Sequence, residues 1–444
     1  MGPETFTPTA AAGLPGPEWL AARRNAALGL VDDLPEPTSE AEEWRYSRID
    51  ELDLGRYSLP VDGAVPSEVP AFAQMVFDGV GELGGRVALL NGRVVLAELD
   101  EEYAASGVAL GTAAHPDAHH GVSEQIARDA LGAAMARPHD RFAALNDAFA
   151  ADPVVISVPR GVTVDRPIAV VSVLDDAASG TVVLPRLSVL LGENSELSMF
   201  EVTASEESVE ALVLPVTELK VSRAARLRHS AVQDLGHCVW QVGSLVADVE
   251  ADATLDSSVA ALGGDYARLR LDCGLSGRGA TGNLSSVYFG DGSQTLDLRT
   301  FQDHRAPDTT SNLLFKGAVG DRSHSVYTGL IHIFPEARGS NAFQTNRNLK
   351  LSDDAWAESV PNLEIENNDV HCSHASTVGP VDPDQRFYLE SRGVPTEIAE
   401  RLVVAGFFDE VLEALPVPAL VGPVRERIER LLDRQVAPVA DAVP

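Results

Sequence analysis

Arg268-Leu269-Arg270-Leu271-Asp272-Cys273 is the stretch on which the fold turns. Leu269, Leu271 and Cys273 fall on one side of an extended chain and the charged residues on the other, the two-residue period of a strand with one face inward. Val183-Leu184-Pro185-Arg186-Leu187-Ser188-Val189-Leu190 repeats the pattern more loosely, and Pro185 marks a strand start or an edge. Working outward, the chain from residue 153 is rich in Val, Leu, Thr and Ser. Clusters of small and polar residues, each followed by a leucine, end at Leu197, Leu227, Leu255 and Leu284, at intervals of 30, 28 and 29 residues. Such a period is that of stacked coils, as in a parallel β-helix. An antiparallel sandwich also spaces its strands regularly.

The flanks read differently. Pro17 to Leu30 predicts a helix with Trp19, Leu20, Ala27 and Leu28 as candidate buried positions. Ser39-Glu40-Ala41-Glu42 matches a capping box ahead of Trp44-Arg45-Tyr46, within a Pro- and acid-rich stretch, 31–70, expected to be loosely ordered. Asn91-Gly92 between two apolar runs predicts a hairpin, and helices are predicted over Ser123 to Met135 and His139 to Ala151. After Gly379 come three more: Pro383 to Arg392, Pro395 to Leu415 and Val424 to Leu432. The stripe Ile398, Leu402, Ala405 and Phe408 is expected to cover the end of the β-helix. The stripe Val424, Ile428, Leu431 and Leu432 has little chain left to cover it, so with Phe408 it is expected to meet a partner. The expected division is a mixed, mostly helical region over 1–152, a β core over 153–381, and a helical region over 382–444 with a disordered tail after Arg434.

Among the 444 residues, basic minus acidic side chains is 34 − 66 = −32, which opposes binding to nucleic acid and to anionic lipid. Three cysteines do not make a disulfide framework. The N-terminus lacks a basic and an apolar leader segment, and no apolar run is long enough to span a membrane. A reduced, cytoplasmic setting is expected. Gly79 to Gly84 and Gly277 to Gly282 spell G-x-G-x-x-G, but neither is followed by a helix whose N-terminus could meet a pyrophosphate, so both read as turns. The chain has no P-loop, H-E-x-x-H or G-x-S-x-G. Cys238 and Cys273 read as small core residues, with His237 and Cys238 on opposite faces of a strand.

His371-Cys372-Ser373-His374 differs. On a strand Cys372 and His374 share a face, and a thiolate beside an imidazole can hold iron or zinc. His371 points the other way. Two ligands do not complete a site, so another chain must add more; otherwise these are two ordinary strand residues.

Residues 323 to 410 resemble the SufB/SufD family of iron–sulfur cluster assembly scaffolds. The motifs are Ile331-His332-Ile333-Phe334-Pro335-Glu336-Ala337, Asn341-Ala342-Phe343-Gln344-Thr345-Asn346-Arg347-Asn348-Leu349, Leu351-Ser352-Asp353-Asp354-Ala355, Pro361-Asn362-Leu363-Glu364-Ile365, Cys372 to Gly379, Arg386-Phe387-Tyr388-Leu389 and Ser391-Arg392-Gly393. Weaker matches reach forward to Asn91-Gly92 and Glu43-Trp44-Arg45-Tyr46. Asp369 to His374 is most like the SufD branch. His371, Ala375 and Ser376 depart from the commoner residues, and none of them is a presumed ligand.

The resemblance implies a mainly β protein: a right-handed parallel β-helix flanked by N- and C-terminal helical segments. It implies a non-catalytic scaffold subunit that pairs with a SufB-like scaffold and engages a SufC-like ATPase, which explains the missing P-loop. A transient iron–sulfur cluster is then expected at the subunit interface, with His374 and Cys372 facing it and none in the isolated chain, which could form a homodimer. Phe408, Val424, Ile428 and Leu431 become the expected ATPase contacts. Two rival readings belong to other classes: a carbohydrate-active β-helix enzyme, needing clustered acids on one face, and a purely structural β-helix.

Overall fold

The computed structural model describes residues 5–60, 68–116 and 120–436. About eight coils stack into a parallel β-helix. Each coil gives one strand to each of two sheets. In the first sheet every neighbouring pair from Thr163–Leu174 to His371–Pro380 is parallel. In the second the same holds from Val154–Val158 to Trp356–Ile365. Leucines, valines and alanines from both sheets fill the lumen. That fixes the register, because a one-residue slip would turn every lumen side chain outward.

Leu271 and Cys273 lie in that lumen, with Leu269 packed against it. Leu197, Leu227 and Leu255 stack as ladder partners. Leu284 is buried but two residues off this column: Leu255 pairs with Gly282, and Leu284 stacks on Leu313. A Cβ at 282 would stand 2.8 Å from the Cys273 sulfur, so this rung takes a glycine and the leucine moves along. The repeat is kept more strictly at one corner. There Asn194, Ala224, Asp252, Gly279, Asp308 and Gly339 all have positive φ, and each donates its N–H to a carbonyl of the next coil. Cys238 departs from its expected core position: it is exposed, and with His237 it sits in a turn.

The Asn91-Gly92 turn closes the antiparallel hairpin Gly85–Leu90 and Arg93–Leu99, which adds to the first sheet. The helix Glu18–Val31 forms as expected, and those predicted around 130 and 145 form as the shorter Glu124–Ala130 and Arg141–Phe149. The capping box does not form; the Ser39 N–H instead bonds the Asp50 carboxylate at 3.1 Å. Nor is the segment around Trp44 loose. It runs as a strap over the outer face of the second sheet, with Trp44 and Ile49 buried. Arg268 donates to the Glu43 carbonyl at 2.7 Å and lies 3.9 Å from the Trp44 ring, and Arg299 donates to the Arg45 carbonyl at 2.5 Å. Asp297 bridges both guanidiniums. Burial pushes its carboxyl up, but the two arginines win and hold it below the usual carboxylate range.

The C-terminal helices Thr396–Glu413 and Val421–Val436 correct two expectations. They cover the outer face of the first sheet, not the end of the β-helix. Phe408, Val424, Ile428 and Leu431 are all buried there, among Ala260, Phe289 and Ala318. The stripe at 424–432 therefore has an internal partner, because the parallel sheet leaves its outward Val, Ala and Phe side chains to be covered. Ile398 and Leu402, expected to cap, are about half exposed. No helix among the described residues is long and apolar enough to cross a membrane.

Candidate functional site

The β-helix stays open at its C-terminal end. Trp356–Ile365 and His371–Pro380 are the outermost strands of their sheets, each paired on one side only. Their in-register neighbours show which side chains face the opening. Ala342, Gln344, Asn346 and Asn348 are buried in the lumen, and they pair with Cys372, His374, Ser376 and Val378. Cys372 and His374 thus share the lumen face of a coil on which no further coil is stacked among the described residues, while His371 and Ser373 alternate to the outside. Cys372 is half-buried, beside Ile331, Ile333 and Leu363, and His374 is exposed.

The floor beneath is polar. Ser376 donates to Ser359 and Ser359 to Asn346, both at 2.7 Å, and Asn346 reaches the Tyr288 hydroxyl at 2.8 Å. Gln344, the ladder partner of His374, is fully buried, and its amide finds no hydrogen-bond partner among the described residues. Sequence reasoning missed Gln344, Ser359 and Ser376, because cross-coil register decides which residues underlie His374. The opening also exposes Ile365 and Val378.

Chemically the opening offers one thiol and one imidazole. Burial raises the Cys372 thiol, so a metal binding there must displace a proton. No third His, Cys, Asp or Glu joins the pair in a metal-holding group among the described residues. Cys273 is pushed up to about 12 by burial and packs as an inert core thiol. A second exposed apolar surface lies on the C-terminal helices: Phe387 and Tyr388 on Pro383–Glu390, with Ile398 and Leu402 on Thr396–Glu413.

Comparison with known proteins agrees with this architecture. The family described as SUF system FeS cluster assembly, SufBD core domain, matches residues 173–407, and the SufBD protein N-terminal region matches residues 16–170. An iron–sulfur cluster assembly SufBD family protein of Mycobacterium tuberculosis (strain ATCC 25618 / H37Rv) is 34% identical over 307 residues, 67% of this chain and 75% of that protein. One from Staphylococcus epidermidis (strain ATCC 12228 / FDA PCI 1200) is 25% identical over 411 residues, 90% of this chain and 87% of its own length. With both family regions matched along a β-helix of this form, the chain belongs to the SufBD family of iron–sulfur cluster assembly proteins.

Proposed function

We propose that the chain is the SufD-like scaffold subunit of a cluster-assembly complex. In this reading 153–381 pairs end to end with a SufB-like scaffold, 382–444 engages a SufC-like ATPase, and 1–152 braces the β-helix. The observation that carries it is the open terminal coil. It places His374 and Cys372 at an end with two unpaired strand edges, where two ligands await others from a second chain. Unpaired edges bind strands, so the surface that docks the partner also brings its ligands to His374. The cluster is cargo, formed from iron and sulfide at the joint face, and ATP hydrolysis belongs to the partner, since this chain has no P-loop. The ATPase surface is assigned to the exposed Phe387, Tyr388, Ile398 and Leu402, with Phe408, Val424, Ile428 and Leu431 supporting it from beneath. Work in the cytoplasm, and homodimerisation through the same edge when the partner is missing, belong to the same reading.

The test is reconstitution with both partners. His374→Ala should lose iron and sulfide incorporation while partner binding and folding persist, and His371→Ala, on the outer face, should retain them. Equal loss from the two variants refutes the assignment. So does a stoichiometric cluster held by the isolated chain.

A further inference from the structure

Outside the lumen the last two coils carry a second group of ligating side chains. His332, Glu364 and Glu366 bring one imidazole nitrogen and two carboxylate oxygens within 4.8 Å of one another. The backbone fixes the group: His332 and Glu364 are ladder partners on the outer face of the second sheet, and the Glu366 N–H bonds the Ile333 carbonyl at 2.9 Å. The His332 ring stacks on Phe334 at 3.9 Å between centroids, and its Nε2 lies 2.8 Å from Glu366 Oε1.

The two carboxylates beside this imidazole have no close basic partner among the described residues; the guanidinium of Arg305 lies 6.0 Å from the Phe334 ring. Neither Glu364 nor Glu366 has an arginine or lysine within 4.0 Å among the described residues; the one side chain paired with Glu366 is His332 itself. On the other side of His332 in the ladder stands Asp303, whose carboxylate is taken by Arg305 at 2.6 Å. Two carboxylates converging on one imidazole repel each other unless a cation sits between them.

We propose that His332, Glu364 and Glu366 form a binding site for a divalent first-row transition-metal ion. The donor set decides the class. Imidazole suits iron, zinc, copper and nickel, carboxylate suits manganese and magnesium, and a mixed nitrogen–oxygen set selects ions that accept both. Three protein ligands leave positions open for water or for transfer to another ligand. Octahedral binding at about 2.1 Å puts adjacent donors about 3 Å apart. The His332–Glu366 pair already has that separation, and the exposed Glu364 side chain has only to close in. If the chain works as proposed above, the ion in use is Fe2+, held one corner of the coil away from Cys372. The binding itself does not depend on that reading.

The experiment titrates the metal-free full chain with Mn2+, following loss of the free-ion electron paramagnetic resonance signal, and then displaces the Mn2+ with Zn2+ and with anaerobic Fe2+. One Mn2+ per chain is expected. His332→Ala and Glu366→Gln should each weaken binding by at least about ten-fold, the scale seen even when groups behind the ligands are changed; Glu364→Gln is a third variant should either misfold. The double variant Cys372→Ser/His374→Ala should bind as the parent does, which separates this site from the lumen face. Absence of saturable binding overturns the proposal. So do unchanged titrations in the His332, Glu364 and Glu366 variants, or loss of binding in the Cys372/His374 variant alone. Cluster assembly is measured separately, so its failure leaves this result standing.

Discussion

Replacing Phe408 by alanine separates what the C-terminal helices do for themselves from what they offer a partner. Phe408 is fully buried, with its ring 6.5 Å from that of Phe289 on the sheet and 5.2 Å from that of Phe407. Emptying such a position costs about 3–5 kcal/mol, the transfer of the lost atoms plus the cavity they leave. The helix pair is joined to the β-helix mainly through this cluster and a few polar links such as Lys316 to the Phe407 carbonyl. The loss should therefore fall on the helices first. Hydrogen exchange should show Thr396–Glu413 and Val421–Val436 opening some hundred-fold or more sooner, since each 1.4 kcal/mol is about a factor of ten, with the coils still protected. Phe387→Ala is the control. That ring is two-thirds exposed, so stability should change by less than about 0.5 kcal/mol while recovery of the ATPase in a pull-down falls. Normal protection in the Phe408 variant, or equal destabilisation by Phe387→Ala, would refute the division into a buried and an offered face.

Other outcomes follow from buried groups. His304 is held neutral: burial lowers its pKa to about 4 against an ordinary 6.5, and Thr309 and Ser311 bond both ring nitrogens. The unfolded chain takes up the proton first, so stability falls as pH drops below 6.5 and levels off below about 4. About 2 kcal/mol should be lost between pH 7 and 5, and denaturant midpoints of a His304→Asn variant should lack that component. Asp297 runs the other way in sign of charge, since its depressed carboxyl stabilises the fold above the ordinary carboxylate pKa and loses this only as pH falls through the lower folded value. Asp297→Asn, which strands Arg268 and Arg299, should cost about 3–5 kcal/mol in chemical denaturation and free the strap to limited proteolysis near Trp44. Ala224, with φ 56° in a left-handed corner, should accept glycine with a gain of about 0.5–1 kcal/mol, measured as a raised denaturation midpoint.

The parallel core was legible because a lumen imposes alternation on each strand and a coil length on the whole, as Leu269, Leu271 and Cys273 and the column from Leu197 to Leu255 show. The shared face of Cys372 and His374 followed from strand geometry. That this face is the mouth of the lumen did not, because it depends on which coil is last. The helical stripes misled for a related reason. Amphipathicity at Val424, Ile428 and Leu431 says that a face must be covered, and the covering residues, Ala260, Phe289 and Ala318, lie more than a hundred positions away. The strap was lost in composition: its acidic, proline-rich character resembles loose chain, while its order comes from Arg268 and Arg299 gripping backbone carbonyls.

The two ends of the solenoid are not alike, and under the proposed docking the difference limits how far these molecules can string together. At the N-terminal end the parallel run is broken by antiparallel pairing: Arg93–Leu99 runs against Gly85–Leu90, and the short, fully buried Ala109–Thr112 runs against Val154–Val158. Among the described residues, only the C-terminal end presents ten-residue strands whose free edges continue the parallel stack. A rod sticky at both ends polymerises, as head-to-tail contacts that do not close produce fibres. If docking runs through the C-terminal edges as proposed, each molecule offers that edge once: when it is occupied, by a twin or by a different scaffold, growth stops at two.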